Sequence, residues 1–423
     1  MEAKRAEVVI VGAGPGGTTA ATFLARRGVQ VTLLEKDEFP RFHIGESMTG
    51  CCGEVVRQLG LTEHMETQRH PTKLGTRVYG PDGLSTFWVP VMSRSESGEL
   101  VDAETWQVRR SDFDRAMLDA ARQAGVSIVK GRATGVLRGP DDAIAGVIAR
   151  DPDGAAVELP AAVVVDASGQ GTFLANAGVT GPKSRGRYDR QLAVYSHVRG
   201  ALRDEGAAGG NTLIFYEKTH HWAWFIPLDD DVVSVGVVVP SEYYKSSGLD
   251  TRGFYQREIG RVNPELARRL EAAELVEDVR TSSNYSYRVD GFTGRNFLCI
   301  GDAHRFVDPI FSFGLFFAMV EGQLAAEHIT RYLSGERGGE ANPFAEFEVL
   351  AERGMDAVED AVDCFWHNPF AFAYLVHHKY REDMIDLFAG RIYEEQPSRG
   401  LQAIRVALRT ALENDGAALG VSA

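Results

Sequence analysis

Three glycines set the first chemistry that this chain can perform. They stand in the string Gly12-Ala13-Gly14-Pro15-Gly16-Gly17. The run EVVIVG at 7–12 precedes them and TTAATFLARRG at 18–28 follows. The first run is apolar and β-branched, as in a strand buried on both faces, and the second has a helical pattern ending at a glycine. Between such elements Gly12 permits a tight turn, Gly14 lets backbone approach a pyrophosphate, and Gly17 allows close packing of helix on strand. The free amides of the helix N-terminus then face phosphate. Residues 29–34 (VQVTLL) read as the next strand, ending at Glu35, 18 positions after Gly17. A carboxylate there can accept a hydrogen bond from a ribose hydroxyl. The unit is a dinucleotide fingerprint, and the chain holds one.

Other chemistries are disfavoured. The chain has 423 residues with a formal net charge of −14, unfavourable for nonspecific binding to nucleic acid or to an anionic membrane. Cys51, Cys52, Cys299 and Cys364 form no CxxC or Cys/His spacing, so no metal is expected. Free thiols in a chain this long fit a reducing cytoplasm. His43, His304 and the Cys51-Cys52 pair are read as structural. The N-terminal run enters a glycine turn without a cleavage site, and Asp308, Pro309 and Gly314 interrupt the longest apolar stretch. Neither a signal peptide nor a membrane span is expected.

The elements that must position this chemistry are scattered along the chain. Residues 107–125 read as an amphipathic helix, with Ser111 as N-cap and Phe113, Met117, Leu118 and Ala121 as its apolar face. Strands are expected at 161–169 and 295–303, a strand-rich stretch over about 183–290, and helices from Leu315 onward. The segment RDEGAAGGN at 203–211 reads as a mobile loop. The fold class is α/β: a Rossmann-like nucleotide domain assembled from 1–50, 105–175 and 290–330. It is interleaved with a β-sheet-rich substrate domain from 51–104 and 176–289, and followed by a helical C-terminal region, 331–423.

Two turns narrow the nucleotide. Asp166-Ala167-Ser168-Gly169 closes one strand and Gly301-Asp302 another, and Arg109-Arg110 precede Ser111-Asp112-Phe113-Asp114. This set resembles the aromatic-hydroxylase branch of FAD-dependent oxidoreductases. The resemblance implies FAD, with Asp302 at the ribityl chain and Arg110, rather than Arg109, reaching the cofactor.

Four further motifs resemble the flavin-dependent halogenases of the phenol and pyrrole type. These are Phe39-Pro40-Arg41-Phe42-His43-Ile44-Gly45-Glu46-Ser47, then Pro71-Thr72-Lys73-Leu74-Gly75, then His221-Trp222-Ala223-Trp224-Phe225-Ile226-Pro227, and Phe306-Val307-Asp308-Pro309-Ile310-Phe311-Ser312-Phe313-Gly314. By itself a Trp-x-Trp strand is more often sheet packing. The resemblance makes Lys73 the catalytic lysine, adds Arg41, Ser47 and Pro309 to the FAD contacts, and sets Trp222, Trp224, Ile226 and Pro227 beside the flavin. It places a halide at Ser312, Phe313 and Gly314, where the Phe313 ring would narrow the site. It implies FADH2- and O2-dependent halogenation, with chloride or bromide as co-substrate, of an electron-rich phenol or pyrrole. That aromatic would be free or tethered to an acyl or peptidyl carrier protein, in natural-product (antibiotic) biosynthesis. A separate NAD(P)H-dependent flavin reductase is the implied partner. The aromatic segment Phe365-Trp366-His367-Asn368-Pro369-Phe370, with Phe372, either caps the substrate side or packs as helix. An FAD-dependent monooxygenase or a geranylgeranyl-reductase-like oxidoreductase is the alternative on the same fold, and a flavin-binding assembly partner without turnover is a third.

Overall fold

The computed structural model describes residues 6–418 apart from 189, 284, 285 and 337–340. The first five residues, two positions of the SNYSYR segment and the last five residues of the expected C-terminal region lie outside it. A six-stranded sheet forms the nucleotide side, in the order Thr293–Gly294, Phe297–Cys299, Val163–Asp166, Val8–Val11, Val31–Glu35 and Ser127–Lys130. All neighbours are parallel except the short antiparallel edge at Thr293–Gly294. Val8, Val9, Ile10 and Val163 to Val165 are wholly buried, as continuous apolar runs require when both faces of a sheet are covered, here by helices and by the small sheet of Arg132–Arg138, Ile144–Arg150 and Ala156–Pro160. Each expected strand is present, shorter by a few residues at its ends.

Two helices meet on this sheet without side chains between them. Pro15–Arg26 crosses Gly314–Leu333 so closely that a Cβ on Gly322 would lie 2.6 Å from the Gly16 carbonyl oxygen. A Cβ on Gly16 would lie 2.9 Å from that of Ala318. The N-termini of both helices therefore open on one cavity, although some 300 residues separate them in sequence.

The second sheet runs Glu274–Leu275, Gln191–Arg199, Val232–Pro240, His221–Pro227, Thr212–Lys218, Gly75–Tyr79 and Thr86–Pro90, with Arg280–Ser282 also paired to Gln191–Arg199. Along the central strand the two-residue period divides the faces. Ala223 and Phe225 enter a core with Phe215, Val235, Val237 and the helix residues Phe254 and Tyr255. Trp222, Trp224 and Ile226 face the other way, toward the nucleotide sheet. The stretch expected to be strand-rich also holds the helices Ser241–Ser246, Thr251–Ile259 and Pro264–Arg269, the last two N-capped by Asp250 and Asn263.

Two expectations are corrected. The helix read over 107–125 spans Arg110–Gln123, and its N-cap is the extended Arg109, so Ser111 lies inside the first turn. No described side chain caps the entry, and within the first turn Arg110 pairs with Asp114 one turn on. The 203–211 segment is no open loop. Gly206–Gly210 form a 3-10 turn with Gly209 and Gly210 buried, and a Cβ on Gly210 would sit 2.1 Å from the Thr72 carbonyl oxygen.

A Cβ on Gly17 would lie 1.9 Å from the Gly12 carbonyl oxygen, a backbone atom that cannot give way cheaply. Gly17→Ala should therefore lower stability by about 1–3 kcal/mol. Denaturant unfolding checks this; a midpoint unchanged from the parent would contradict the packing described.

Candidate functional site

One cavity of about 750 Å³ runs between the two sheets, within the usual range for cofactor sites. At one end Gly12, Gly14, Pro15 and Gly16 form its floor and Glu35 its rim. Gly12 has φ +104°, which only glycine adopts without strain, and a Cβ there would strike Ala167. Gly14 is different: a Cβ on it would meet only Arg41 Nη2, 3.9 Å away. The space between a helix N-terminus and an arginine fits a pyrophosphate. Gly17 lies behind this floor and acts through packing. Glu35 Oε2 accepts from Ala13 N at 2.7 Å and Oε1 from Asp37 N at 2.7 Å, which fixes the carboxylate at the cavity rim.

Arg110 is buried in the side wall. It pairs with Asp114 through Nε (2.7 Å) and Nη2 (2.9 Å), and its Nη1 donates to the Ile44 carbonyl at 2.8 Å and the Gly45 carbonyl at 3.1 Å. Arg41 joins the same carboxylate at 3.2 Å. Arg109 points elsewhere, to Asp229 at 2.6 Å. Arg110 thus clamps the turn that follows the second strand. Desolvation by the surrounding protein, then the Arg110 charge, lowers the pKa of the adjacent His43 to about 4, although its ring faces the open cavity.

The cavity continues past Asp302 to Trp222, Trp224, Ile226, Pro309, Ser312 and Gly314. Burial, then Glu321, lifts Asp302 to about 7. The turn that carries it is tied by Glu321, whose Oε2 accepts from Gly301 N at 2.6 Å and from His304 Nε2 at 2.9 Å. Ser312 adopts the left-handed conformation (φ 62°), reversing the chain so that Gly314 begins a helix at the cavity wall. Amides in that first turn have no partner within their own helix and suit an anion. Phe313 does not narrow this position. Its ring packs in the core at 5.4 Å from Phe316 and 5.7 Å from Phe317, and it does not line the cavity. Pro227 also lies off the lining.

Lys73 stands behind the wall, not in it. Its Nζ donates to Ser47 Oγ at 2.9 Å and to the Met48 carbonyl at 2.9 Å, and Ser47 itself lines the cavity. Burial pulls this lysine down from 10.5 to about 7. Sequence reasoning named Ser47 as an FAD contact but missed Thr212, Gln107 and Asn211, which brace Ser47 and the Lys73 strand. Ser47 Oγ bonds Thr212 Oγ1 at 2.8 Å, and Gln107 Nε2 donates to Thr212 Oγ1 at 2.8 Å and to the Gly210 carbonyl at 3.1 Å. Asn211 Oδ1 accepts from Leu74 N and Gly75 N. Only pairing across the sheet brings these residues together, and no local motif marks them. The C-terminal aromatics divide: Phe372 stacks on Phe311 at 5.7 Å and Phe365 is buried beside them, whereas Phe370 is 90% exposed. All four cysteines are free. Among the described residues His64, His70 and Asp112 form a cluster in which both imidazole Nε2 atoms lie 2.9 Å from one carboxylate oxygen. No spacing rule had marked it, because Asp112 comes from a distant helix.

The chain matches the FAD binding domain family over residues 5–342, which defines it as a flavoprotein of that class. It is 36% identical over 394 residues to the 1H-pyrrole-2-carbonyl-[peptidyl-carrier protein] brominase of Pseudoalteromonas luteoviolacea, covering 93% of this chain and 94% of that relative. It is 27% identical to the corresponding chlorinase of Pseudomonas fluorescens, covering 97% and 94%. The solved structure of the flavin-dependent brominase Bmp2 superposes with a TM-score of 0.90 at 34% identity, covering 97% of this chain and all of that one. The chain belongs to the flavin-dependent halogenases, FAD-dependent oxidoreductases that take halide as co-substrate.

Because Gly14 has ordinary backbone angles (φ −70°) and open space beyond its Cα, Gly14→Val should fold normally. Its side chain would occupy the pyrophosphate space, and FAD affinity should fall by about 100-fold or more, roughly 2.7 kcal/mol. Titration of the flavin-free protein with FAD, alongside thermal unfolding, checks both halves.

Proposed function

We propose that this enzyme halogenates a pyrrole held on a carrier protein, as the names of two relatives suggest for those proteins. A single observation carries the reading: a buried lysine amine, held near neutrality, one serine hydroxyl beyond the wall of a flavin-sized cavity. When bound and reduced, FAD supplies with oxygen the two-electron oxidation of halide to hypohalous acid. The rest falls to the chain. Gly314 and its neighbours present amides to the halide, and Trp222, Trp224 and Ile226 form a dry wall that keeps the organic substrate away from the flavin. Lys73 receives the oxidant past Ser47: its nitrogen lone pair takes the halogen, and hydroxide leaves with the amine's proton as water. The halogen then passes to an electron-rich ring carbon, whose proton returns to the amine. Burial lowers this amine's pKa to about 7, so a neutral nucleophile is accessible near neutral pH, which an exposed lysine could not match.

The sign of the pH effect follows. Folded Lys73 loses its proton near pH 7, so the nucleophilic form grows as pH rises through 7 and activity has an acid limb there. Lys73→Met keeps most of the stem but not the amine. It should bind FAD within about twofold of the parent and lose halogenated product by at least about 100-fold. Mass spectrometry of products from carrier-bound and free pyrroles, with bromide or chloride and a flavin-reducing system, makes the measurement. Near-parental halogenation by Lys73→Met would remove the lysine from the mechanism.

The one dinucleotide fingerprint lies in the FAD cavity, so reducing equivalents should come from a separate NAD(P)H-dependent flavin reductase, in the reducing cytoplasm that four free thiols fit. Anaerobic mixing with NADPH alone should leave the bound flavin oxidised. Rapid bleaching would favour a self-sufficient monooxygenase instead.

A further inference from the structure

Glu46 belongs to the turn that lines the cavity, yet the mechanism above gives it no task. It is 1% exposed, and its Oε2 has no hydrogen-bond partner among the described residues. The other oxygen, Oε1, lies 2.8 Å from His197 Nε2. The opposite ring nitrogen, Nδ1, lies 3.1 Å from Glu277 Oε1, and the Glu277 side chain is 31% exposed. Three titratable groups therefore form an unbroken file from solvent to the cavity wall, ending in a carboxylate oxygen that no described residue satisfies. An unsatisfied buried carboxylate oxygen is costly unless a ligand or a proton meets it.

A need for such a file is built into the proposed reaction. Per turnover FADH2, O2, halide ion, an aromatic C–H and one proton give FAD, the aryl halide and two waters. Two electrons come from FADH2 and two from halide, and oxygen takes all four. The extra proton must come from water and reach a cavity whose value lies in excluding water.

We propose that Glu277, His197 and Glu46 are the path by which that proton enters the cavity. The inference rests on the halogenase reading above. The doubly protonated ring is the loaded state: Nε2 releases its proton to Glu46 Oε1, Glu46 offers it to the cavity by rotation of its carboxyl group, and the neutral ring then turns to present its bare nitrogen toward Glu277, which reprotonates it. The geometry suits this, since with both carboxylates ionised the ring must donate from both nitrogens. Other charged groups are near. Arg109 opposes the positive ring, Arg280 lies 3.9 Å from Glu277, and Tyr195 lies beside Glu46. Burial acts to lower the His197 pKa, but Glu46 and then Glu277 outweigh it, and the net displacement is upward.

Two measurements test the path. In the flavin-free protein, nitrogen NMR of His197 should show a doubly protonated ring at pH 7 that becomes neutral in Glu46→Gln. A ring already neutral at pH 7 in the parent would overturn the proposal. In the loaded enzyme, His197→Gln keeps a hydrogen-bonding side chain without the ability to relay. It should halogenate at least about 10-fold more slowly at pH 8. It should recover as pH falls or imidazole is added, and bind FAD as the parent does; Glu277→Gln should show the same in weaker form. Loss of FAD affinity without recovery by acid or imidazole would make His197 a structural clamp and overturn the path, as would a variant of parental rate from pH 6 to 9. Halogenated product from the parent tests the underlying reading separately, because the path is judged on the ratio of variant to parent and on the NMR of protein without flavin.

Discussion

The site depends on one backbone contact, the crossing of Pro15–Arg26 on Gly314–Leu333 at Gly16 and Gly322. Side chains at either glycine would push the helices apart by clashing with carbonyl oxygens, which packing cannot relieve. With the glycines in place, the amide ends of both helices open on one cavity. One suits the pyrophosphate and the other an anion at the far end, so two partial positive charges are fixed in place before any ligand arrives. Every other feature of the site is arranged around this pair.

Burial is the second organising constraint, and it acts on charges of both signs. Arg110 and Asp114 neutralise one another while Arg110 also satisfies two carbonyls, which makes a buried ion pair tolerable and ties the 39–47 turn to the nucleotide side. Among the described residues Asp302 and Lys73 have no ion-pair partner of that kind, and desolvation moves each toward its neutral form near pH 7. Groups able to gain or lose a proton near pH 7 therefore stand at the cavity, as Asp302 does, and just behind its lining, as Lys73 does. The same low polarity favours an oxidised halogen species over its loss to bulk water.

The motifs that do chemistry were legible because their reasons are local. A glycine turn between a β-branched run and a helix states its own geometry, so Gly12, Gly14, Gly17 and Glu35 could be placed from spacing alone. Strand alternation likewise separates Trp222, Trp224 and Ile226 from Ala223 and Phe225 once the strand is recognised. Contacts made across the sheets were not legible. Ser111 fits an N-cap by residue type, but the helix begins one residue earlier, at Arg110, whose side chain is held by Asp114 and by the Ile44 and Gly45 carbonyls. The Gly-rich 203–211 segment reads as mobile by composition, yet Thr72 and Gln107 pack against its backbone.

The sequence by itself determined the nucleotide fingerprint, the α/β class and the resemblance to the halogenases, because each is written in short runs whose conformations follow from residue type. Tertiary structure alone decided that Phe313 turns into the core, that Pro227 leaves the cavity wall, and that Lys73 reaches the cavity only through Ser47. It also joined Glu46, His197 and Glu277 from three distant stretches of chain. The physical reason is that a side chain's direction and a group's protonation depend on what other segments place beside it and on how much water they exclude. Neither quantity exists until the sheets have closed.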